Sequence, residues 1–269
     1  MSLMNSALRG QKTPTKTAPT VEKVITAEES KNIVVEPARP SKKPKKPLIE
    51  SKKPLEPLDY SKIKMAVCVP CRDMIHTVFS HNLHSLLNYN WQKGIETRVF
   101  YNMSTVLSNQ RESLVESARS LAATHILWLD SDMSFPFYTA YKLLEHRKPI
   151  VAGNYVTRQL PYKTVAYTEL GRWDSYLKHG KSQPVENELI KVEGIGMGCM
   201  LTEMAVFDNI PKPWFPTTYQ PEADDYLGED INFCMAARQQ GHEIWVDDIL
   251  SRQLNHVGQF AFGHDLVKD

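Results

Sequence analysis

Residues 125–133 of the chain read His-Ile-Leu-Trp-Leu-Asp-Ser-Asp-Met. The apolar run 126–129 has the length and the composition of a buried strand. Asp130 and Asp132 follow it, and burying an unpaired carboxylate is costly, so such a pair normally faces solvent, a cation or a hydrogen-bond donor. Carboxylate oxygens are ligands that suit a divalent metal ion. The stretch predicts either a metal site at the end of a central strand or a solvated strand end that leads into a turn.

Strands and helices alternate along residues 63–155, and this alternation predicts the fold class. Strands are predicted at 63–70, 95–101, 126–129 and 149–155, and helices at 75–87, 108–122 and 138–146. Short connections between alternating elements favour an α/β fold with a mostly parallel, doubly wound sheet that binds ligands at the carboxyl ends of its strands. Asp130, Asp132 and the loop 70–73 lie at such ends, so we expect them to line one crevice.

From residue 155 onward the pattern is less regular. A hairpin is predicted at 156–167, strands at 189–193 and 243–246, and helices at 203–210 and 229–240. The alternating glycines of residues 194–198 lack the dinucleotide-binding spacing and predict a flexible loop beside a ligand. Trp214 and Tyr219, in the Pro-rich loop 211–221, are expected either to contact a sugar or to pack beneath the loop.

Arg111 is predicted to have an anionic partner. It falls in the first turn of the helix at 108–122, for which Ser108 or Asn109 is the expected N-cap. The helix dipole disfavours a cation at that end. A phosphate or Asp130 would compensate this conflict; the alternative is a solvent-exposed arginine.

Two other patterns favour structural roles. Cys68 and Cys71 have the C-x-x-C spacing, but Cys68 lies inside a predicted strand and no second such pair exists, which argues against a redox or zinc site. The helix at 75–87 is expected to bury an apolar face that includes Val78. Its three histidines, without an acidic partner, are expected at the surface: His76, His81 and His84.

Composition limits the class of protein. The formal net charge is +1, which gives no sign of a polyanionic partner for the chain as a whole. No apolar run approaches ~18 residues, so no membrane span is expected, and no hydrophobic leader segment is visible. Four cysteines in 269 residues do not indicate a disulfide framework. A reducing, cytoplasmic setting is therefore expected.

Residues 1–60 are predicted to form a disordered Lys- and Pro-rich tail, and residues 61–269 the folded domain. The tail has no aromatic residue before Tyr60 and contains clustered lysines and prolines between 40 and 57. Such a segment buries too little apolar surface to offset its ordering entropy. We expect it to serve either as a tether or as a non-specific contact with nucleic acid or an acidic surface, through neutralisation of negative charge.

Taken together, the motifs of residues 63–260 resemble the GT-A glycosyltransferases, especially the family-2-like enzymes of bacteria and phages. The matching stretches are Val69-Pro70-Cys71-Arg72, Leu129-Asp130-Ser131-Asp132-Met133, residues 194–201, Gly228-Glu229-Asp230-Ile231-Asn232-Phe233-Cys234 and Asn255-His256-Val257-Gly258. The resemblance implies a GT-A, Rossmann-like fold and a cytoplasmic enzyme of a bacterial cell or a phage-infected host.

The resemblance also implies a donor site. Asp130 and Asp132 would form the D-x-D pair that holds Mn²⁺ or Mg²⁺ and the diphosphate of a nucleotide sugar, and His256 would be a third metal ligand. The residues implied near the nucleotide are Pro70, Arg72, Arg111, Asp130 and Ser131. A cation and an arginine there would stabilise the charge that develops on the leaving diphosphate.

On the acceptor side, the resemblance implies Asp230 as the general base, with Glu229 binding the acceptor or supporting that base. This arrangement inverts the anomeric carbon; Asp224 and Asp225 are competing carboxylates, and a retaining mechanism stays open if Asp230 only orients the acceptor. Further acceptor-side candidates are Gly196, Trp214 and Tyr219. The acceptor is not identified by the sequence, and a glycan, a protein and a modified nucleic-acid base stay open as candidates.

Two alternatives compete with a glycosyltransferase. A nucleotidyltransferase-like enzyme needs a Gly-rich, Lys-bearing phosphate loop after its first strand, whereas this chain has Pro70-Cys71-Arg72-Asp73 there. A non-catalytic module that binds nucleotide sugars or glycans on the same fold predicts donor binding without turnover. The joint presence of Asp130, Asp132, Asp230 and His256 argues against it.

Overall fold

The structure, a computed structural model, describes residues 56–172, 174–177, 188–258 and 261–267. Residues 1–55, and with them nearly all of the predicted tail, lie outside the described residues. Its α-helices are α1 (Thr77–Gln92), α2 (Leu107–Ser120), α3 (Thr139–Glu145), α4 (Met204–Asn209), α5 (Glu229–Gln239) and α6 (Asp248–Ser251). No helix in the described ranges is long and apolar enough to cross a membrane.

The strands form one large sheet and three small ones. They are β1 (Lys64–Cys71), β2 (Glu96–Met103), β3 (His125–Leu129), β4 (Met133–Ser134), β5 (Ile150–Ala152), β6 (Ala166–Tyr167), β7 (Leu189–Val192), β8 (Gly194–Ile195), β9 (Cys199–Glu203), β10 (Thr218–Gln220), β11 (Asp225–Leu227), β12 (Ile244–Asp247), β13 (Asn255–Val257) and β14 (Ala261–Phe262). The large sheet has the order β2-β1-β3-β9-β5-β12-β7. All of its strands except β9 and β7 run in the same direction. This confirms the predicted α/β class with a central, mostly parallel sheet.

Helices cover both faces of the sheet, which explains why its central strands are almost continuously apolar. Alternate residues of β1 enter opposite cores: Ala66 and Cys68 pack with α2, α4 and α5, while Met65, Val67 and Val69 pack with α1, α3 and α6. Because β1 and β3 pair in parallel, their carboxyl ends lie side by side at one edge of the sheet.

Two helix predictions are wrong in detail. Val78 was expected on the buried face of α1, but it is 40 % exposed, and the buried positions are Phe79, Leu83 and Leu86. The helix at 108–122 begins earlier, at Leu107, with Val106 as a cap that provides no side-chain hydrogen bond. Neither Ser108 nor Asn109 is therefore the N-cap.

The glycine stretch 194–198 is a loop only at residues 196–198, where the Gly198 carbonyl accepts the Asp130 N–H at 3.1 Å. Gly194 and Ile195 form β8, and after residues 196–198 the chain enters β9, an antiparallel strand between β3 and β5 that the sequence did not predict. A Cβ atom on Gly196 would lie 2.5 Å from the Tyr155 hydroxyl, and one on Gly198 would lie 2.7 Å from its ring. These glycines are required because the buried Tyr155 side chain lies against the backbone.

The C-terminal part of the chain returns to the edge where β3 ends. Strand β13 pairs with β4 in antiparallel register, His256 opposite Met133. The Val257 N–H also donates to the Asp132 carbonyl at 2.6 Å. This pairing brings residue 256 next to residue 132.

Candidate active site

A cavity of about 750 Å³ opens at the carboxyl ends of β1, β2 and β3. Its lining contains six of the residues predicted to bind the metal or the donor: Pro70, Arg72, Asp130, Ser131, Asp132 and His256. It also contains residues for which no role was predicted, His76, Gln110 and Arg158 among them. We refer to this cavity as the strand-end cavity.

Gln110 fixes the floor of the strand-end cavity. Its side-chain amide donates to the carbonyls of Asn102 and Ser104, each at 2.9 Å, and to that of Cys71. One buried amide thus joins the ends of β1 and β2. Cys68 and Cys71 are both buried free thiols, and burial raises their pKa, so neither has the character of a reactive thiolate.

Asp132 and His256 form the open side of the site. His256 Nε2 lies 3.3 Å from Asp132 Oδ2, while His256 Nδ1 lies 3.1 Å from the Val156 carbonyl. Since a carbonyl only accepts, Nδ1 donates to it. Nε2 faces the carboxylate: it donates to Asp132 when both ring nitrogens carry a proton, and it presents a lone pair when the ring is neutral. Two such atoms attract a cation or a shared proton.

This pair fits a divalent cation. Ligands of Mg²⁺ stand about 2.1 Å from the ion, so neighbouring ligand atoms are roughly 3 Å apart, close to the observed 3.3 Å. An imidazole whose second nitrogen is held by a backbone carbonyl is the usual arrangement at metal centres. Burial would raise the pKa of Asp132, but the hydrogen bond and charge of His256 and the charge of Arg158 hold it below its usual value.

Asp130 points to a different partner. Its Oδ1 accepts from Arg111 Nη2 at 3.1 Å, which confirms the predicted anionic partner of Arg111. Burial raises the pKa of Asp130, and the Arg111 charge opposes that rise. Within the described residues, Asp130, Asp132 and His256 do not form a trio whose ligand atoms all lie within 4.8 Å.

Arg111 is a buried connector between two parts of the site. It is 1 % exposed, its guanidinium lies 5.5 Å from the centre of the Trp128 ring, and its Nε donates to Glu229 Oε1 at 3.2 Å. It is absent from the lining of the strand-end cavity, so it supports the donor side indirectly. Through Arg111, the end of β3 is tied to the first turn of α5.

Asp230 lies in that first turn and lines a second cavity of about 330 Å³, which we call the hairpin cavity because β11, one strand of the β10–β11 hairpin, borders it. Burial and the neighbouring Glu229 raise the Asp230 pKa to about 6, against the opposing charge of Arg111. A carboxyl group with this pKa can accept a proton near neutral pH. Tyr167 and Tyr226 share the lining.

Gly228 makes room for the Asp230 carboxylate. It is the N-cap of α5, and a Cβ atom there would lie 2.8 Å from Asp230 Oδ1. Of the two competing carboxylates, Asp225 also lines the hairpin cavity. Asp224 is exposed and accepts a hydrogen bond from the Tyr219 hydroxyl at 2.6 Å.

The three predicted acceptor contacts are placed differently. Tyr219 is 47 % exposed, and its ring lies 5.3 Å from that of Tyr226. Trp214 is 3 % exposed and packs on Phe207, so it belongs to the core beneath the loop. Gly196 is buried behind Tyr155. Only Tyr219 of these three is accessible to an acceptor.

A separate polar cluster joins α3 to β12. The ligand atoms of His146, Glu188 and Asp247 lie within 4.8 Å of one another. Asp247 is already satisfied, because it accepts from His146 at 2.7 Å and from the Leu250 N–H at 2.8 Å, and Lys142 pairs with Glu188. These contacts account for the cluster as a structural network.

Comparisons with known proteins give little further guidance. No protein-family model and no curated protein matches the sequence. A197 from STIV is 15 % identical with a TM-score of 0.44, over 72 % of this chain and 84 % of that one. A glycosyltransferase involved in the glycosylation of the major capsid of PBCV-1 is 13 % identical with a TM-score of 0.30, over 56 % and 69 %. Because both TM-scores are below 0.5, function must be inferred from the site itself.

Proposed function

We propose that the protein is a metal-dependent glycosyltransferase that moves a sugar from a nucleotide-sugar donor to an acceptor hydroxyl with inversion. The observation that carries the proposal is the Arg111 bridge: one buried guanidinium contacts both Asp130 of the strand-end cavity and Glu229 beside Asp230. Arg111 thereby holds the proposed cation site and the proposed proton acceptor in fixed positions relative to each other. A displacement between two bound substrates requires this.

The strand-end cavity is the proposed donor site. Its volume falls in the range of small-molecule pockets, roughly 300–1,000 Å³, and Arg72 and Arg158 supply positive charge for a diphosphate. Asp132 and His256 would hold Mn²⁺ or Mg²⁺, with Asp130 beside them. When bound, the ion stabilises the negative charge that builds on the leaving diphosphate.

The hairpin cavity is the proposed acceptor site. Asp230 takes the proton of the acceptor hydroxyl as the oxygen forms its bond to the anomeric carbon, while the bond from that carbon to the diphosphate oxygen breaks. The products are an inverted glycoside, a nucleoside diphosphate and a protonated Asp230. Tyr219 and Tyr226 offer exposed ring faces next to this cavity, which suit the apolar face of a sugar.

A donor panel tests the proposal. Nucleotide sugars are incubated with Mn²⁺ or with EDTA, and both binding and slow hydrolysis are measured. We expect one donor to bind and turn over only with metal, Asp132→Asn to lose both, and Asp230→Asn to keep binding but lose turnover.

Asp224→Asn is the matched control, because it neutralises an exposed carboxylate that neither cavity contains. Absence of metal-dependent binding for every donor would refute the proposal. Binding without turnover in the wild-type protein would favour a non-catalytic binding module instead.

A further inference from the structure

Arg158 occupies the position next to the proposed cation ligands. Its Nη1 lies 3.0 Å from Asp132 Oδ2, the same oxygen that lies 3.3 Å from His256 Nε2. The segment between β5 and β6 carries it, and it lines the strand-end cavity. In this arrangement a guanidinium supplies the positive charge that Asp132 requires.

A divalent ion and this guanidinium compete for Asp132. An ion about 2.1 Å from Oδ2 would come close to Nη1, and two cations at that separation repel each other. The contacts that hold Arg158 are weak enough to break. Its side chain is 40 % exposed, and beyond Asp132 it donates to the Val257 carbonyl at 3.0 Å.

Arg111 could not exchange partners in this way. It is buried and is held by Asp130 at one end and Glu229 at the other. Arg158, by contrast, reaches into the cavity that also contains Arg72. A planar guanidinium released there can pair in bidentate fashion with phosphate oxygens.

We propose, resting on the function proposed above, that Arg158 is an exchangeable counter-ion. It neutralises Asp132 when no metal is bound, and it transfers to the donor diphosphate when a divalent cation takes its place. One side chain thus weakens the binding of metal alone and strengthens the binding of diphosphate to the metal-loaded protein.

The first experiment titrates Mn²⁺ alone into the full-length protein by calorimetry. A half-exposed ion pair is worth so little that Arg158→Gln should tighten Mn²⁺ binding by about twofold to fivefold. Lys163→Gln is the matched control, since Lys163 lies on the same segment but faces the Tyr176 ring and does not line the cavity. It should leave Mn²⁺ affinity unchanged.

The second experiment titrates inorganic pyrophosphate into Mn²⁺-saturated protein. Arg158→Gln should weaken pyrophosphate binding by about tenfold or more, and Arg158→Lys should fall in between because it keeps the charge without the planar fork. These opposite effects on metal and diphosphate separate counter-ion exchange from a structural role, which would weaken both.

Unchanged or weaker Mn²⁺ binding in Arg158→Gln would overturn this inference while leaving the proposed function intact. Unchanged pyrophosphate binding would overturn it as well. If neither the wild type nor Arg158→Gln binds Mn²⁺, the proposed function and the inference both fail. Binding of Mn²⁺ by Arg158→Gln alone would support the inference strongly.

Discussion

Replacing Asp230 with asparagine should stabilise the protein while abolishing sugar transfer. Burial raises the pKa of this carboxyl group from 3.8 to about 6. At about 1.36 kcal/mol per pKa unit, this rise in pKa means that ionising Asp230 costs the folded protein about 3 kcal/mol. The amide has the shape of the protonated acid, and its oxygen can still accept the Ile231 N–H that Asp230 Oδ1 accepts at 2.7 Å.

The sign of the effect follows from linkage. The pKa of Asp230 is higher in the folded than in the unfolded protein, so protonation of Asp230 favours folding. This contribution to the free energy of unfolding is lost as pH rises from about 4 through about 6. At pH 8 the wild type bears the full cost of an ionised, partly buried carboxylate. Asp230→Asn should then be more stable by about 1–3 kcal/mol, and the difference should shrink towards pH 4.5.

Urea unfolding of both proteins between pH 4.5 and pH 8 measures this difference. In parallel, kcat/KM of the wild type should rise with pH through about 6 as Asp230 loses its proton. A variant that is less stable at pH 8, or a stability difference that does not change with pH, would refute the reasoning. Asp224→Asn should show neither effect.

Three further substitutions test the supports of the site. Arg111→Lys keeps the charge but cannot contact Asp130 and Glu229 together, so urea unfolding should show a loss of about 2 kcal/mol or more. Gly228→Ala places a Cβ atom 2.8 Å from Asp230 Oδ1; steady-state kinetics should show turnover falling about tenfold or more while Mn²⁺ affinity holds. Gly198→Ala meets the buried Tyr155 ring at 2.7 Å, and thermal unfolding should show a loss of about 1–3 kcal/mol. Wild-type behaviour in any of the three would contradict the role given to that residue.

The sequence predicted strands most accurately where residue type, hydrophobic pattern and the residues that end the strand all indicate the same element. Residues 126–129 are apolar, lack Gly and Pro and end at two carboxylates, and they form β3 as expected. The ion pair between Arg111 and Asp130 was predicted for the wrong reason: α2 begins at Leu107, so Arg111 lies beyond the first turn, and it is the burial of its charge that requires an anion. For β3 the interactions that decide the structure act within a few residues, whereas Arg111 and Asp130 lie on different elements.

Other features of the fold and of the site were not predicted, because they depend on contacts between residues that are distant in the sequence. Nothing local shows that β9 follows the glycine stretch, because Gly196 and Gly198 are required by their contact with the distant Tyr155 side chain. Trp214 and Tyr219 share one loop, yet only Trp214 is covered, since Phe207 from another element packs against it. The approach of Arg158 to Asp132 likewise results from the path of a non-regular segment that no periodicity predicts.

The pairing of β13 with β4 has a consequence for how the protein matures. His256 follows Asp132 by 124 residues in the sequence, and the pairing of β13 with β4 brings the two side chains together. A nascent polypeptide that has emerged only through α5 would contain β1, β3 and Asp230 but lack His256. Under the proposed function, metal capture would therefore wait until β13 has paired with β4, and the captured ion would stabilise that pairing by mass action.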